Sequence, residues 1–232
     1  MGDDSMKTAN TNLLRLLHLL HLSSPALPVG AYAYSQGLEY AIDSTWLKSD
    51  DDIREWIGDA LRCGITHLDL PLLCRCYRSW HSGDLEALLY WNEYLLASRE
   101  TRELSLEDRQ LGEALRRLLQ TLEAWPSELN VLESVSFALC FAVAGLHWQI
   151  PLSELLRGFA FSWLENQVAA ATKAVPLGQS QAQKLLLALM PDLDSSCNLA
   201  LELNDADIGM SLPGLALASA LHERQYSRLF RS

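Results

Sequence analysis

The sequence lacks the motifs that mark several large classes of enzyme. It contains no GxxxxGK[ST] phosphate-binding loop and no GxGxxG turn, which argues against P-loop nucleotidases and Rossmann-type binders. No GxSxG motif is present, and a serine-hydrolase triad could only be assembled from distant residues. No apolar run approaches the roughly 20 residues that a membrane span needs. The sequence therefore does not favour nucleotide hydrolysis or serine-hydrolase chemistry, and it predicts no membrane span.

Basic residues are also scarce. The chain has 18 Lys and Arg against 29 Asp and Glu, with a formal net charge of -11. Because nucleic-acid binding relies on basic side chains that neutralise phosphates, a broad contact with nucleic acid is not expected, and protein partners are favoured. The N-terminus is acidic and polar, unlike a secretory signal. We expect residues 1–12 to form a flexible segment and the protein to be cytoplasmic.

The cysteines show no disulfide framework. There are five of them, an odd number without regular spacing, which in a cytoplasmic protein is typical of free thiols. Cys74 and Cys76 resemble a metal clasp, but side chains two residues apart on a helix point in different directions. We therefore expect five free thiols: Cys63, Cys74, Cys76, Cys140 and Cys197.

Helical periodicity runs through most of the chain. From Ser49, apolar residues recur at spacings of three and four, and Ser49 with Asp52 resembles a capping box. No stretch alternates with period two, so the prediction is an all-α, single-domain bundle of about ten helices over residues 13–220. The predicted helices cover residues 13–22, 49–68, 71–81, 84–98, 103–124, 131–148, 151–174, 176–190, 194–204 and 213–226, and a further one begins near Ser35. The helix from Pro151 is apolar on more than one side, which indicates a central helix or one buried by a partner subunit.

Two loops and the C-terminus interrupt this pattern. The stretch SSPALPVGAYAYSQGLE, residues 23–39, and the stretch AVPLGQS, residues 174–180, are interpreted as backbone corners. The corner residues are Pro25, Pro28, Gly30, Pro176 and Gly178, and Gly30 is expected at a positive φ. The tail, residues 221–232, combines arginines with aromatic residues. Such a tail fits either an interface or a helix end whose arginines complement the helix dipole.

The metal candidates are weak, and one of them is Cys63 with His67, four residues apart, a spacing that is common by chance. His18 and His21 lie three residues apart on the first predicted helix and could chelate one ion. On a leucine-rich helix the favoured interpretation is a pair of packing histidines at the edge of the core.

Four segments, in order along the chain, together resemble the UreF family of urease accessory proteins. They are SPALPVGAYAYSQGLEYAI, ASRETRELSLEDRQLGEALRRLL, SWLENQVAAATKAVPLGQSQAQKLL and SALHERQYSRLFRS. The likeness extends over residues 13–232. It departs from the family at Ala33, where a serine is common.

The resemblance implies an all-helical, homodimeric chaperone of urease maturation that is not itself an enzyme. UreF proteins bind UreD, also called UreH, recruit the GTPase UreG, dock on apo-urease and support nickel insertion into its metallocentre. No stably bound cofactor is implied, because the complex handles the nickel. Carried over to this sequence, the partner-binding residues are Tyr32, Tyr34, Ser35, Glu39, Lys173, Gln179, Arg224, Gln225, Tyr226, Arg228, Leu229, Phe230 and Arg231. The tail residues would face UreD, and the two loops would lie near UreG and the dimer contact.

Two other functions stay open. One is a regulator that activates the GTPase by inserting an arginine, for which Arg224, Arg228 and Arg231 are candidates by residue type. The other is a helical ligand-binding or regulatory domain. Because the tail lacks an apolar stripe, we also expect deletion of residues 224–232 to remove UreD binding while leaving the fold largely intact.

Overall fold

A computed structural model describes residues 13–175 and 177–232 of the chain. The predicted flexible segment, residues 1–12, and the predicted corner Pro176 lie outside these residues. The α-helices are α1 (13–22), α2 (Leu38–Asp43), α3 (Asp50–Asp59), α4 (Asp69–Ser82), α5 (Leu85–Ala97), α6 (Arg102–Thr121), α7 (Phe137–His147), α8 (Leu152–Ala174), α9 (Gln179–Glu202) and α10 (Pro213–His222). Within the described residues there is no strand, which confirms the all-α prediction.

Helix α7 forms the centre of the bundle. All residues from Ala138 to Gly145 are buried, and the helix packs against α4, α6 and α8. Helix α8 in turn packs on α9, α4 and α2, so part of its second apolar side is covered within the chain. None of the described helices is long and apolar enough to cross a membrane.

Serine and threonine caps define several helix starts. Ser49 and Asp52 form the predicted capping box of α3. The side chain of Ser136 accepts a hydrogen bond from the Leu139 amide, so α7 begins at Phe137 and not at Val131 as predicted. Thr101 caps α6 in the same way through the amide of Leu104.

The predicted helix over residues 49–68 changes its winding halfway. Helix α3 ends at Asp59 and continues as a π-helical segment, Ala60–Ile65. The amide of Thr66 and its hydroxyl both donate to the carbonyl of Leu61, five residues earlier, which stabilises the wider turn.

The prediction of two helices at 176–190 and 194–204 is wrong. A single helix, α9, runs from Gln179 to Glu202 with Pro191 inside it. Ion pairs flank the proline, since Asp192 binds Arg62 and Asp194 binds Arg157 of α8. Burial against α8 and these contacts outweigh the one backbone hydrogen bond that proline removes.

All five cysteines are free thiols, as predicted. Burial raises the pKa of Cys74 to about 11 and that of Cys197 to about 12. These thiols are therefore packing residues with little thiolate at neutral pH.

Candidate protein interaction site

The loop between α1 and α2 turns through two left-handed glycines. Gly30 has φ 82° and precedes a short 3-10 turn, Ala31–Ala33, while Gly37 has φ 80° and precedes α2. A Cβ atom added to Gly37 would lie 2.8 Å from the backbone nitrogen of Ser219 in α10, whereas one added to Gly30 would meet nothing within 4 Å. Gly30 confirms the positive φ expected from the sequence, and Gly37 lets α10 approach the loop.

Below this loop, Glu39 holds the C-terminal tail. Its carboxylate is buried and accepts hydrogen bonds from the amide of Leu229 at 2.7 Å and from the amide of Phe230 at 3.0 Å. These amides belong to irregular backbone after α10, where no helix supplies acceptors. The Glu39 carboxylate therefore supplies these two amides with the acceptors that a helix or strand would otherwise provide.

A buried histidine joins Glu39 to a second carboxylate. The Nε2 atom of His222 lies 3.1 Å from Glu39 and its Nδ1 atom lies 2.7 Å from Glu103. The ring of His222 therefore bridges the two carboxylates. Arg228 donates to the other oxygen of Glu103 at 2.7 Å. We call Glu39, Glu103, His222 and Arg228 the tail buttress.

A third carboxylate, Glu107, binds the last residue. Ser232 donates its hydroxyl to Glu107 at 2.7 Å, and Gln36 donates its amide at 2.8 Å. The backbone amide of Ser35 donates to the carbonyl of Ser232 at 2.7 Å, and Ser35 and Ser232 are both fully buried. Burial raises the pKa of the Glu107 carboxyl to about 7, against the effect of these two hydrogen bonds.

The loop, the α8 terminus and the tail converge on Lys173. Its Nζ atom lies 5.6 Å from the ring centre of Tyr32 and 5.6 Å from that of Phe230. These distances are typical of cation–π contacts. We call Tyr32, Lys173 and Phe230 the three-motif junction, since each comes from a different segment of the sequence. A backbone hydrogen bond also joins the tail to the loop, because the amide of Arg231 donates to the carbonyl of Ala33.

The predicted partner-binding residues divide into an exposed and an inward-facing set. Eight are exposed to solvent: Tyr32, Lys173, Gln179, Arg224, Tyr226, Arg228, Leu229 and Arg231. Tyr226 is fully exposed and Leu229 is 70% exposed, which is unusual for apolar side chains. Gln225 is half-buried, whereas four residues face inward and support the tail from within: Tyr34, Ser35, Glu39 and Phe230.

The expected effect of tail deletion needs revision. The deletion would remove buried Phe230 and Ser232, so Glu39 would lose the two tail amides that donate to it and Glu107 would lose the hydroxyl of Ser232. Buried carboxylates that lose hydrogen-bond donors destabilise a fold. The predicted boundary at residue 220 therefore does not separate an independent tail from the body, since the tail is packed into it.

The buried acids of α6 were missed in the sequence, although a signal was present. A spacing of four residues separates successive members of the series Glu103, Glu107, Leu111, Leu115 and Leu119. All five are buried, so the two glutamates continue the apolar stripe of α6. Carboxylates in register with an apolar stripe indicate buried acids that need partners. His222, the partner of Glu103, was also missed.

A second buried ion network lies inside the bundle. Arg99 donates to Asp69 at 2.5 Å and to Asp108 at 2.9 Å, and all three side chains are largely buried. Burial opposes the charge of Arg99, but the carboxylates of Asp108 and Asp69 outweigh it and raise the pKa of the guanidinium. We call these three residues the Arg99 triad.

The weak metal candidates pack against tryptophan. His18 stacks on Trp148 with ring centres 5.0 Å apart, and His21 meets the same ring edge-on at 6.2 Å. In the described part of the chain no group of three or more His, Cys, Asp or Glu could hold a metal ion. Both histidine rings thus contact Trp148.

Comparison with known proteins identifies the family. The UreF family model matches residues 47–190. The urease accessory protein UreF of Teredinibacter turnerae is 54% identical over 218 residues, which cover 94% of this chain and 99% of the relative. The protein of the same name from Marinomonas sp. is 47% identical, over 98% of this chain and 100% of the relative. The family model and the near full-length relatives agree with the four quoted segments, and the chain belongs to the UreF family of urease accessory proteins.

Proposed function

We propose that this chain is a non-enzymatic adaptor of urease maturation. In this proposal it acts in the cytoplasm as a homodimeric chaperone, bridges UreD and the GTPase UreG on apo-urease, and supports GTP-dependent nickel insertion. The family membership supports the urease context. The three-motif junction is the observation that carries the adaptor role, because it places three separate segments on one surface.

The exposed apolar side chains of the tail support a role in docking. Tyr226 is fully exposed and Leu229 is 70% exposed, while the backbone of Leu229 is fixed by Glu39. A fixed backbone that presents aromatic and aliphatic side chains loses little conformational entropy on binding. We assign these two side chains to UreD and the pair Tyr32 and Lys173 to UreG.

Nickel is the cargo in this proposal. It is handled by the assembled complex, and we assign no resident metal site to this chain.

Reconstitution of urease tests the adaptor role. Apo-urease, UreD, UreG, GTP and nickel are combined with the wild-type chain or with the double variant Tyr32→Ala/Lys173→Ala, and the nickel content of urease is measured. We expect the variant to lose most of the nickel transfer and its co-purification with UreG. The matched control is Tyr90→Ala/Lys184→Ala, which removes an exposed tyrosine and an exposed lysine from α5 and α9. Equal nickel transfer by both double variants would contradict the proposal.

Activation of UreG through an arginine is the second candidate. Arg228 is held by Glu103, whereas Arg224 is exposed and free of that ion pair. Arg224 is therefore freer than Arg228 to reach a bound nucleotide. Single-turnover GTP hydrolysis by UreG, with UreD present, tests this role: a rate unchanged by each of Arg224→Ala, Arg228→Ala and Arg231→Ala leaves only the adaptor function.

A further inference from the structure

A large open cleft lies beside the loop that carries Tyr32. Its volume is about 670 Å³, and it is bounded by the loop residues Val29 to Tyr34, by α6, and by residues 133–135 before α7. The hydroxyl of Tyr34 donates to the side chain of Gln110 at 2.5 Å, which fixes the loop to α6 at the edge of the cleft. The walls are thus built from anchored elements.

The cleft has the opposite charge to the rest of the chain. Four arginines line it, Arg109, Arg116, Arg117 and Arg231, against two glutamates. The whole protein carries a formal net charge of -11, so this is a local reversal of sign. A positive cleft on a negative protein attracts acidic ligands.

Contacts within the protein orient the arginines and neutralise only part of their charge. Arg109 donates to the hydroxyl of Ser134 at 2.6 Å, and Arg116 donates to the carbonyl of Leu132 at 2.9 Å. Among the described residues, Glu113 pairs with both Arg116, at 2.6 Å, and Arg117, at 3.5 Å. Each guanidinium has five donors, so these contacts orient the groups and leave donors for a ligand. The side chain of Arg117 is 64% exposed.

The spacing of the arginines fits an extended peptide. Arg109 and Arg116 are seven residues apart on α6, which is two helical turns or about 10 Å. About three residues of extended chain span that distance, so side chains of one peptide can reach both guanidinium groups. Carboxylates also match the planar fork of arginine.

We propose that this cleft is a docking site for an acidic, extended segment of a partner protein. The arginines on α6 hold the carboxylates of that segment, and Tyr32 packs against its backbone. This inference goes beyond the adaptor role and does not depend on UreD or UreG, because it concerns an interaction of the chain alone with an acidic peptide.

Fluorescence anisotropy with a labelled hexaglutamate peptide tests the proposal, with a labelled hexaglutamine peptide as the neutral probe. We expect the wild-type chain to bind hexaglutamate, to bind it more weakly at higher salt, and not to bind hexaglutamine. The variant Arg109→Gln/Arg117→Gln should weaken binding at least about tenfold. The charge-matched control, Arg54→Gln/Arg157→Gln, alters exposed arginines of α3 and α8 and should change affinity by less than about twofold.

Three results would overturn the proposal. The first is absence of binding, or equal loss in both double variants. The second is inorganic phosphate that binds at the cleft as tightly as hexaglutamate, which would assign the cleft to small anions. The third concerns the oligomeric state measured by sedimentation. If the wild-type chain is a dimer and Arg109→Gln/Arg117→Gln is a monomer, the occupant of the cleft is a second copy of the chain. The variant Arg109→Lys/Arg117→Lys keeps the charge and checks folding; it should retain intermediate affinity.

Discussion

The tail buttress and the Arg99 triad are both buried ion networks, but they stabilise different parts of the molecule. In the triad, Arg99 joins two aspartates that belong to helices of the body. In the tail buttress, glutamates of α2 and α6 bind His222 at the end of α10, and they bind backbone amides and the Arg228 side chain of the irregular segment that follows it. The comparison teaches that buried carboxylates can order an irregular segment as well as join helices. The triad supports the core, and the buttress supports a surface that presents Tyr226 and Leu229.

The largest expected effect follows from breaking the triad. Arg99→Ala leaves Asp69 and Asp108 buried without their cation, which should lower the free energy of unfolding by about 3–5 kcal/mol. Urea denaturation measures this change. The control is Arg62→Ala, whose ion pairs with Asp59 and Asp192 are exposed and should contribute less than about 1 kcal/mol. A loss for Arg99→Ala as small as that of the control would show that the triad does not stabilise the core.

The second effect concerns pH and the carboxylate beneath the last residue. The pKa of Glu107 rises from 4.5 to about 7 in the folded protein, so the folded state holds a proton that the unfolded state has released between these values. The contribution of Glu107 to stability therefore falls as pH rises from about 4.5 to 7, by up to about 3 kcal/mol. In Glu107→Gln the free energy of unfolding should change less between pH 4.5 and about 7 than in the wild type. Chemical denaturation at several pH values measures this difference. An identical pH profile for the wild type and the variant would contradict the assignment.

A smaller effect follows from weakening the buttress itself. Glu39→Gln replaces a carboxylate that accepts two amide hydrogen bonds, and should cost about 1.5–3 kcal/mol. The loss should be concentrated in the tail, so hydrogen exchange at the amides of Leu229 and Phe230 should accelerate more than exchange in α7. The control Asp43→Asn changes an exposed carboxyl on the same helix. Unchanged protection at both tail amides would mean that Glu39 does not hold the tail.

The sequence predicted the helices well where local signals act alone. The apolar stripe and the capping box of α3 are properties of neighbouring residues, and both are present in the structure. Helix α9 was missed as one element because the local effect of Pro191 is outweighed by packing against α8. Tertiary contacts of this kind leave no mark on the spacing of residues.

The site was predicted only in part, for the same reason. Exposed Tyr32, Lys173, Tyr226 and Leu229 were identified from their residue types and the family likeness. The buttress was not, because Glu39 and Leu229 are 190 positions apart and no spacing rule connects them. The arginine cleft likewise depends on α6 and the loop lying side by side.

Co-purification of UreD with a tail variant tests the central claim most directly. The claim is that the buttress holds Tyr226 and Leu229 for a partner while the Arg99 triad supports only the core. Tyr226→Ala/Leu229→Ala should leave the circular dichroism and the melting temperature unchanged and should lose UreD. The matched control, Tyr90→Ala/Leu187→Ala, removes side chains that are 56% and 61% exposed elsewhere and should retain UreD. Full retention of UreD by the tail variant would contradict the account.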